Sequence, residues 1–436
     1  MSKKTRKIEI RKIGSLKPNP KNARKHSPGQ VKALANSIKQ FGFTSPVLVD
    51  GDGLILAGHG RLEAAKALGL KRVPVIKLAD LSAEEARAYT LADNKLGDRS
   101  TWDLDKLKVE LGELASIDID FDVSLTGFEV GEVDALLGSP APLDDGPVPS
   151  ENEVSAVSKL GDLWEVGEHR LLCGDALDQK AIKRLLDKER AALVFTDPPY
   201  NVKIRKVVGK GKVKHQEFAM ASGEMTPDQF TSFLEQFLAI AVKSCRNGAL
   251  LFVCMDWRHM RELLGAAEKS DLELKNLCVW EKSNAGMGSL YRSAHELIFV
   301  FKKGCAKHIN NVQLGRMGRN RTNVWHYEGV NSFARGADLK LHPTVKPLQM
   351  AVDVICDGSD RGDIVLDQFG GSGTTLLAAQ EVGRRARVVE LDPRYVDVAL
   401  KRYLERFGTE PRLVGTGQTW SQVSEERASD TGGSDG

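Results

Sequence analysis

At 436 residues, 41% hydrophobic and 28% charged, the chain is long enough for about three domains of ~150 residues, and most of it should fold. The net charge of +3 makes no case for nucleic acid by itself, and six scattered cysteines with no Cys-x-x-Cys pair exclude a disulfide framework and a structural zinc. No run approaches the ~18–20 apolar residues of a membrane span, so a cytoplasmic protein with neither a membrane partner nor a metal is expected.

The charge is uneven: residues 1–25 hold ten Lys and Arg against the single acid Glu9. Residues 8–13 alternate like a strand, and Val31, Leu34, Ala35, Ile38 and Phe41 keep helical spacing. Residues 46–49 and 54–57, joined by Asp50-Gly51-Asp52-Gly53, predict a hairpin. The second run ends in Gly58, His59, Gly60 and Arg61 before a helix over 62–68, and a strand at 73–76 and helices at 82–96 and 103–114 follow. Bare amides at a helix start and an arginine fork suit a phosphate, although a Gly/Arg turn is more often a plain connection.

The stretches 16–24, 37–43 and 57–66, the last reading Ala-Gly-His-Gly-Arg-Leu-Glu-Ala-Ala-Lys, together resemble the ParB/sulfiredoxin-like domain. The resemblance covers about the first 100 residues and implies a small α+β module, expected over 1–137, that binds a nucleotide or DNA. The sulfiredoxin branch needs a cysteine beside the histidine; the first cysteine here is Cys173, so reductase chemistry is excluded.

Residues 138–155 form a proline-rich linker, with four prolines between 139 and 150. Beyond it, candidate strands at 170–173, 192–196, 248–254, 276–281, 295–302, 364–368 and 387–391 alternate with helical stretches, which predicts a largely parallel, doubly wound sheet. The polar, Gly- and Ser-rich end, 416–436, is expected to be a disordered tail.

Two motifs carry chemistry. An apolar run, 193–196, stops at Asp197-Pro198-Pro199-Tyr200; two prolines force the chain out of the sheet in a rigid turn and aim an acid, a carbonyl and a ring into one volume at a strand's carboxyl end. A second strand ends in Asp367-Gln368-Phe369-Gly370-Gly371-Ser372-Gly373-Thr374-Thr375. Its spacing is not Gly-x-Gly-x-x-Gly and no lysine precedes the threonines, which leaves an adenosyl ligand without phosphates. Thr374 or Thr375 can cap the following helix. Glu390, ending the next strand, is placed to accept ribose hydroxyls.

In this order the motifs resemble a beta-class DNA amino-methyltransferase, over roughly 160–408, with further matches at Leu171-Leu172-Cys173-Gly174-Asp175, Tyr291-Arg292 with His295-Glu296, and His342-Pro343-Thr344-Val345-Lys346-Pro347. The resemblance implies a circularly permuted, Rossmann-like methyltransferase domain over 156–415 using S-adenosylmethionine. It implies that Asp197, Pro198, Pro199 and Tyr200 are catalytic, that Asp175 meets the adenine of the cofactor, that the Pro343–Pro347 segment with Lys346 lines its methionine end, and that Asp367, Phe369, Gly371, Gly373 and Thr374 wrap it. Double-stranded DNA is the expected partner, the target base is expected to be flipped out, and a homodimer is expected. Attack by cytosine C5 needs a nucleophilic cysteine, normally just after a proline, and no cysteine here follows one. Asp rather than Ser at 197 resembles the adenine-N6 enzymes; cytosine-N4 methylation, and a DNA- or nucleotide-binding protein with an inactive scaffold, are the alternatives. Lys203, Arg205 and Lys206, in a basic stretch over 203–214, are candidate phosphate contacts, and Tyr291, Arg292, Arg319 and Arg321 are candidate target-recognition residues.

Overall fold

The structure is a computed structural model that describes residues 6–97, 101–117, 123–138, 143–144, 156–202, 223–282, 290–312, 319–327 and 345–432. The chain divides into two compact units, 1–129 and 130–436.

In the first unit, β1 (Ile8–Lys12), β2 (Val47–Val49), β3 (Ile55–Ala57) and β4 (Arg72–Lys77) form a sheet of order β1-β4-β2-β3. The hairpin forms as expected, with Leu48 opposite Ala57. Helices α1 (Pro28–Phe41), α2 (His59–Ala67), α3 (Ala83–Gly97) and α4 (Leu104–Ile117) accompany it. Ser27 caps α1 by accepting from the Gln30 amide, and Pro28 occupies the first turn, where its missing N–H costs nothing. Val47, Val49, Ile55, Leu62, Val73 and Val75 make the core.

The second unit begins with α5 (Val130–Leu137), eight residues before the boundary expected at 137. Asp134 explains why this helix belongs there: its carboxylate takes Arg384 Nη1 and Nη2 at 3.1 and 2.7 Å, and both side chains are essentially inaccessible. One of two acids in an otherwise apolar octapeptide, Asp134 gives no sign of a partner 250 residues away.

The strands β5 (Leu163–Val166), β6 (His169–Cys173), β7 (Ala191–Thr196), β8 (Cys245–Met255), β9 (Leu272–Lys282), β10 (His295–Lys303), β11 (Val324–Tyr327), β12 (Ile364–Asp367), β13 (Arg385–Glu390) and β14 (Arg412–Leu413) form one sheet of order β11-β9-β10-β8-β7-β12-β13-β6-β5-β14. The expected parallel pairing holds at the centre, β8-β7-β12-β13-β6, whereas β10, β9, β5 and β14 join antiparallel at the flanks. Helices cover both faces. α6 (Gln179–Leu186), α7 (Pro227–Ser244) and α8 (Met260–Lys269) pack on one face with Val194, Leu251 and Leu366; α9 (Leu348–Gly358), α10 (Thr374–Glu381) and α11 (Pro393–Phe407) pack on the other with Leu193, Phe252 and Val365. Central strands buried on both faces are what made them legible as unbroken apolar runs.

The expected disordered tail is instead partly a helix, α12 (Trp420–Gly432). Trp420 Nε1 donates to Asp397 at 3.0 Å, Val423 is buried, and Arg427 reaches the Val157 carbonyl and Asp162. These contacts, with the Ser421 hydroxyl donating to Glu410 at 2.7 Å, dock a segment whose composition otherwise favours solvent.

Removing one partner of a buried ion pair strands the other charge. Asp134→Ala is therefore expected to cost about 3–5 kcal/mol of stability, read from the urea midpoint of the full chain.

Candidate active site

Parallel strands deliver their carboxyl ends to one edge of the sheet, and there β6, β13, β12 and β7 place Asp175, Glu390, Asp367 and Asp197 in neighbouring positions. Asp367 joins the two motifs. Its Oδ1 accepts from Thr196 Oγ1 at 2.9 Å and from the Phe369 amide at 3.1 Å, and its Oδ2 accepts from Thr375 Oγ1 at 2.6 Å. Burial pushes its carboxyl up to about 6 against these bonds. Both carboxylate oxygens are thus engaged by the protein.

The glycine turn separates into parts. A Cβ at Gly370 would lie 2.2 Å from Val388, and one at Gly373 (φ +84°) 2.6 Å from Ala399, so these two glycines permit close packing against β13 and α11. Gly371 (φ +50°) is different: a Cβ there would meet open space, and its amide donates to Glu390 Oε2 at 2.8 Å. Gly373 caps α10 in the left-handed conformation, so neither threonine is the cap; Thr375 serves Asp367 instead, and Thr374 is buried at the first helical position. The Phe369 ring packs edge-on against Phe237 at 5.4 Å.

Glu390 also accepts from the Asp392 amide at 2.8 Å, and burial raises its carboxyl to about 7 with no cation among its partners. Asp175 accepts from the Leu177 amide at 2.8 Å, and Gly174 N donates to the Glu390 carbonyl at 2.9 Å, which holds the β6 and β13 ends together.

At the end of β7 the structure places an ionic cluster. The Tyr200 hydroxyl lies between Asp197 and Glu296. Lys346 Nζ bridges the same two carboxylates, touching Asp197 Oδ2 and lying 2.7 Å from Glu296 Oε1, and Lys282 holds Glu296 Oε2 at 2.6 Å. Burial pushes the Asp197 carboxyl above the usual range against the pull of Lys346. Burial acts on Glu296 in the same direction, but Lys346 and Lys282 outweigh it and hold that carboxyl below the usual range. Burial would lower Lys346; the two carboxylates outweigh this and keep it an ammonium. The Cys254 thiol is pushed well up by burial and stays protonated, and its sulfur lies within 4.8 Å of the Asp197 and Glu296 oxygens.

Lys346 therefore stands on Asp197 as well as on Glu296, and Glu296, Lys282 and Cys254 complete a cluster not singled out from sequence. Asn201, directly after the turn (φ +52°), donates to the Met225 carbonyl at 2.9 Å and accepts from the Gly223 and Met225 amides at 3.0 and 3.2 Å. Lys203, Arg205 and Lys206, with Pro343, lie outside the described residues. Tyr291 and Arg292 are exposed next to β10. Arg319 and Arg321 are not: they form ion pairs of 2.7–3.2 Å with Asp353 and Asp357 of α9, which ties the chain before β11 to that helix and takes both arginines away from phosphate contact. Trp325 is in the core.

In the first unit α2 starts at His59, three residues earlier than expected, because Gly58 (φ +96°) turns the chain before it. Arg61 Nη1 donates to the Ser45 and Pro46 carbonyls at 2.7 and 3.1 Å, and His59 Nε2 accepts from the Asn19 amide at 3.3 Å. Both side chains of the expected phosphate cradle thus have protein partners.

Residues 191–401 match the DNA methylase family of N6 and N4 acceptors, residues 1–95 the ParB N-terminal domain, and 105–160 the ParB-methyltransferase helix-turn-helix domain. The ParB-like nuclease domain-containing protein YnaK of Escherichia coli is 52% identical over 79 residues, 18% of this chain and 91% of its own length. Type II methyltransferase M.HinfI of Haemophilus influenzae is 27% identical over 260 residues, 54% of this chain and 68% of its own. Among solved structures, the putative DNA modification methylase TTHA0409 of Thermus thermophilus, complexed with S-adenosyl-L-methionine, is 22% identical with a TM-score of 0.40, covering 58% of this chain and 96% of its own.

A buried acid whose carboxyl is raised in the folded state stabilises that state below its unfolded value, and the gain is lost as pH rises through the folded value. For Glu390 that window runs from about 4.5 to about 7. The Tm of Glu390→Gln minus that of the unaltered chain should therefore grow between pH 4.5 and 7 and then level off.

Proposed function

We propose adenine N6 as the acceptor for this chain, which belongs to the DNA methylase family of N6 and N4 acceptors and carries a ParB N-terminal domain ahead of its methylase domain. The observation that carries the reading is Asp197 and the Pro198 carbonyl at the end of β7, tied through Thr196 and Asp367 to the glycine turn. The chain is a DNA methyltransferase, and S-adenosylmethionine supplies an electrophilic methyl group when bound.

The turn suits an adenosyl group better than a phosphate. Two carboxylates, Asp367 and Glu390, stand beside the start of α10 and repel an anion, whereas ribose hydroxyls donate to the spare lone pairs of Glu390. Space beside Gly371 admits such a group, and Asp175 on the neighbouring strand end is placed for its base.

An exocyclic amine on a nucleobase is a poor nucleophile because its lone pair is delocalised into the ring. Asp197 and the Pro198 carbonyl accept its two N–H bonds and hold the nitrogen in the geometry that turns the lone pair outward. Tyr200 faces the base after it leaves the duplex, since a paired amino group is out of reach. No strong base is required, because the methylated nitrogen becomes acidic and sheds its proton afterwards. Asp at position 197, as in adenine-N6 enzymes, supports adenine over cytosine N4. In the N-terminal unit, the Gly58–Arg61 segment is read as a nucleotide-phosphate or DNA contact, on the strength of the basic start and the helix-start amides.

Expression in a host whose DNA is unmethylated, followed by sequencing for modified bases, should give N6-methyladenine at one defined site. N4-methylcytosine would overturn the acceptor, and unmodified DNA the activity. Asp197→Ala should lose at least ~10²-fold in methylation rate while calorimetry shows S-adenosylmethionine still bound.

A further inference from the structure

The catalytic acid already has a nitrogen on it. Lys346 Nζ touches Asp197 Oδ2, one of the two oxygens to which a target amino group can donate, the other taking the Tyr200 hydroxyl, and lies 3.3 Å from that hydroxyl. It is an ammonium without a lone pair, so it is a stand-in for the substrate amine and not a competing acceptor of methyl groups. Its second partner is what makes this contact reversible. Glu296 Oε1 holds the same ammonium at 2.7 Å, and Glu296 is itself buried and anchored through Oε2 to Lys282. Lys346 can therefore release Asp197 without becoming an uncompensated buried charge, which would cost several kcal/mol.

We propose that Lys346 and Glu296 are positioning residues acting through Asp197: the Lys346 ammonium occupies the Asp197 carboxylate while the site holds no base, and Glu296 is the carboxylate onto which it withdraws when the target amine enters. The proposal rests on Asp197 being the amine acceptor. It also assigns Glu296 a second effect, since a cation left alone beside Asp197 would oppose the positive charge that develops on the amine during transfer.

The groups facing Asp197 are Tyr200 on its own turn, Lys346 before α9, Glu296 on β10 with Lys282 of β9 behind it, Cys254 on β8 and Asp367 on β12. Lys346 favours the charged form of Asp197 and Glu296 opposes it. In Lys346→Met the acidic limb of the single-turnover rate should therefore move to higher pH. In Glu296→Gln it should move to lower pH, and in the double variant it should fall between the two.

Binding gives an independent readout. The duplex carries the recognition site found by sequencing, with the target adenine and its amino group kept and 2-aminopurine placed beside it, where it reports the unstacking that accompanies entry of the target. Glu296→Gln leaves the ammonium on Asp197 alone and should lower the fluorescence gain on binding several-fold; Lys346→Met removes the competitor and should raise it, and the double variant should recover the unaltered level or exceed it. If the unaltered chain methylates DNA but the two single variants shift the limb or the fluorescence in the same direction, the pair is merely structural and the proposal fails. If the unaltered chain does not methylate DNA, the reading of Asp197 fails instead. A single variant that does not fold is replaced by the double variant, whose failure to recover fluorescence would also overturn the proposal.

Discussion

The Asp197–Tyr200 turn and the glycine turn come from segments 171 residues apart in the chain, and Asp367 fixes one against the other. Its hydrogen bonds to two hydroxyls and an amide are charge-assisted, worth about 1.5–3 kcal/mol each where they are not offset by desolvation. Without them, β7 and β12 would still pair, and only the Gln368 amide, which donates to Thr196 Oγ1 at 3.3 Å, would be left to set how far the Asp197 turn stands from Gly371. Methyl transfer tolerates little error in the line between donor and acceptor, so the buried carboxylate that ties the two turns together bears on both.

Around that tie the site is organised by uneven charge. On one side Glu390 and Asp367 have no cation among their partners, and burial raises their affinity for protons, so they seek neutral donors. On the Asp197 side two lysines answer two carboxylates, and the cluster is balanced. Two chemically distinct compartments thus lie along one sheet edge, one suited to hydroxyl groups and the other to an amine.

Much of this was legible in the sequence, and the failures have a common physical cause. Buried parallel strands announce themselves as apolar runs, and the prolines at 198 and 199 or the glycines at 370–373 leave few backbone options. What escaped was pairing across long separations. Arg319 and Arg321 look like phosphate contacts because Asp353 and Asp357, four apart on α9, sit in a segment whose visible signal is its apolar face. Lys346 reads as part of a cofactor segment, and its pairing with Asp197 and with Glu296 of β10 is visible only in the fold. Three short or edge strands, β5, β11 and β14, carry too few residues to show alternation, and α12 docks through side chains whose partners lie as far back as Val157 and Asp162.

Asn201 has a bearing on how such an enzyme diversifies. By holding Gly223 and Met225 with one side-chain amide, it fixes where the chain departs from the catalytic turn and where it returns. Residues between those points can change in length or charge while the amide at 201 goes on reproducing the same ends. The turn at 197–200 and the segment that follows it are in this sense separable inheritances: sequence between the two held ends can be tried without renegotiating the geometry of the turn.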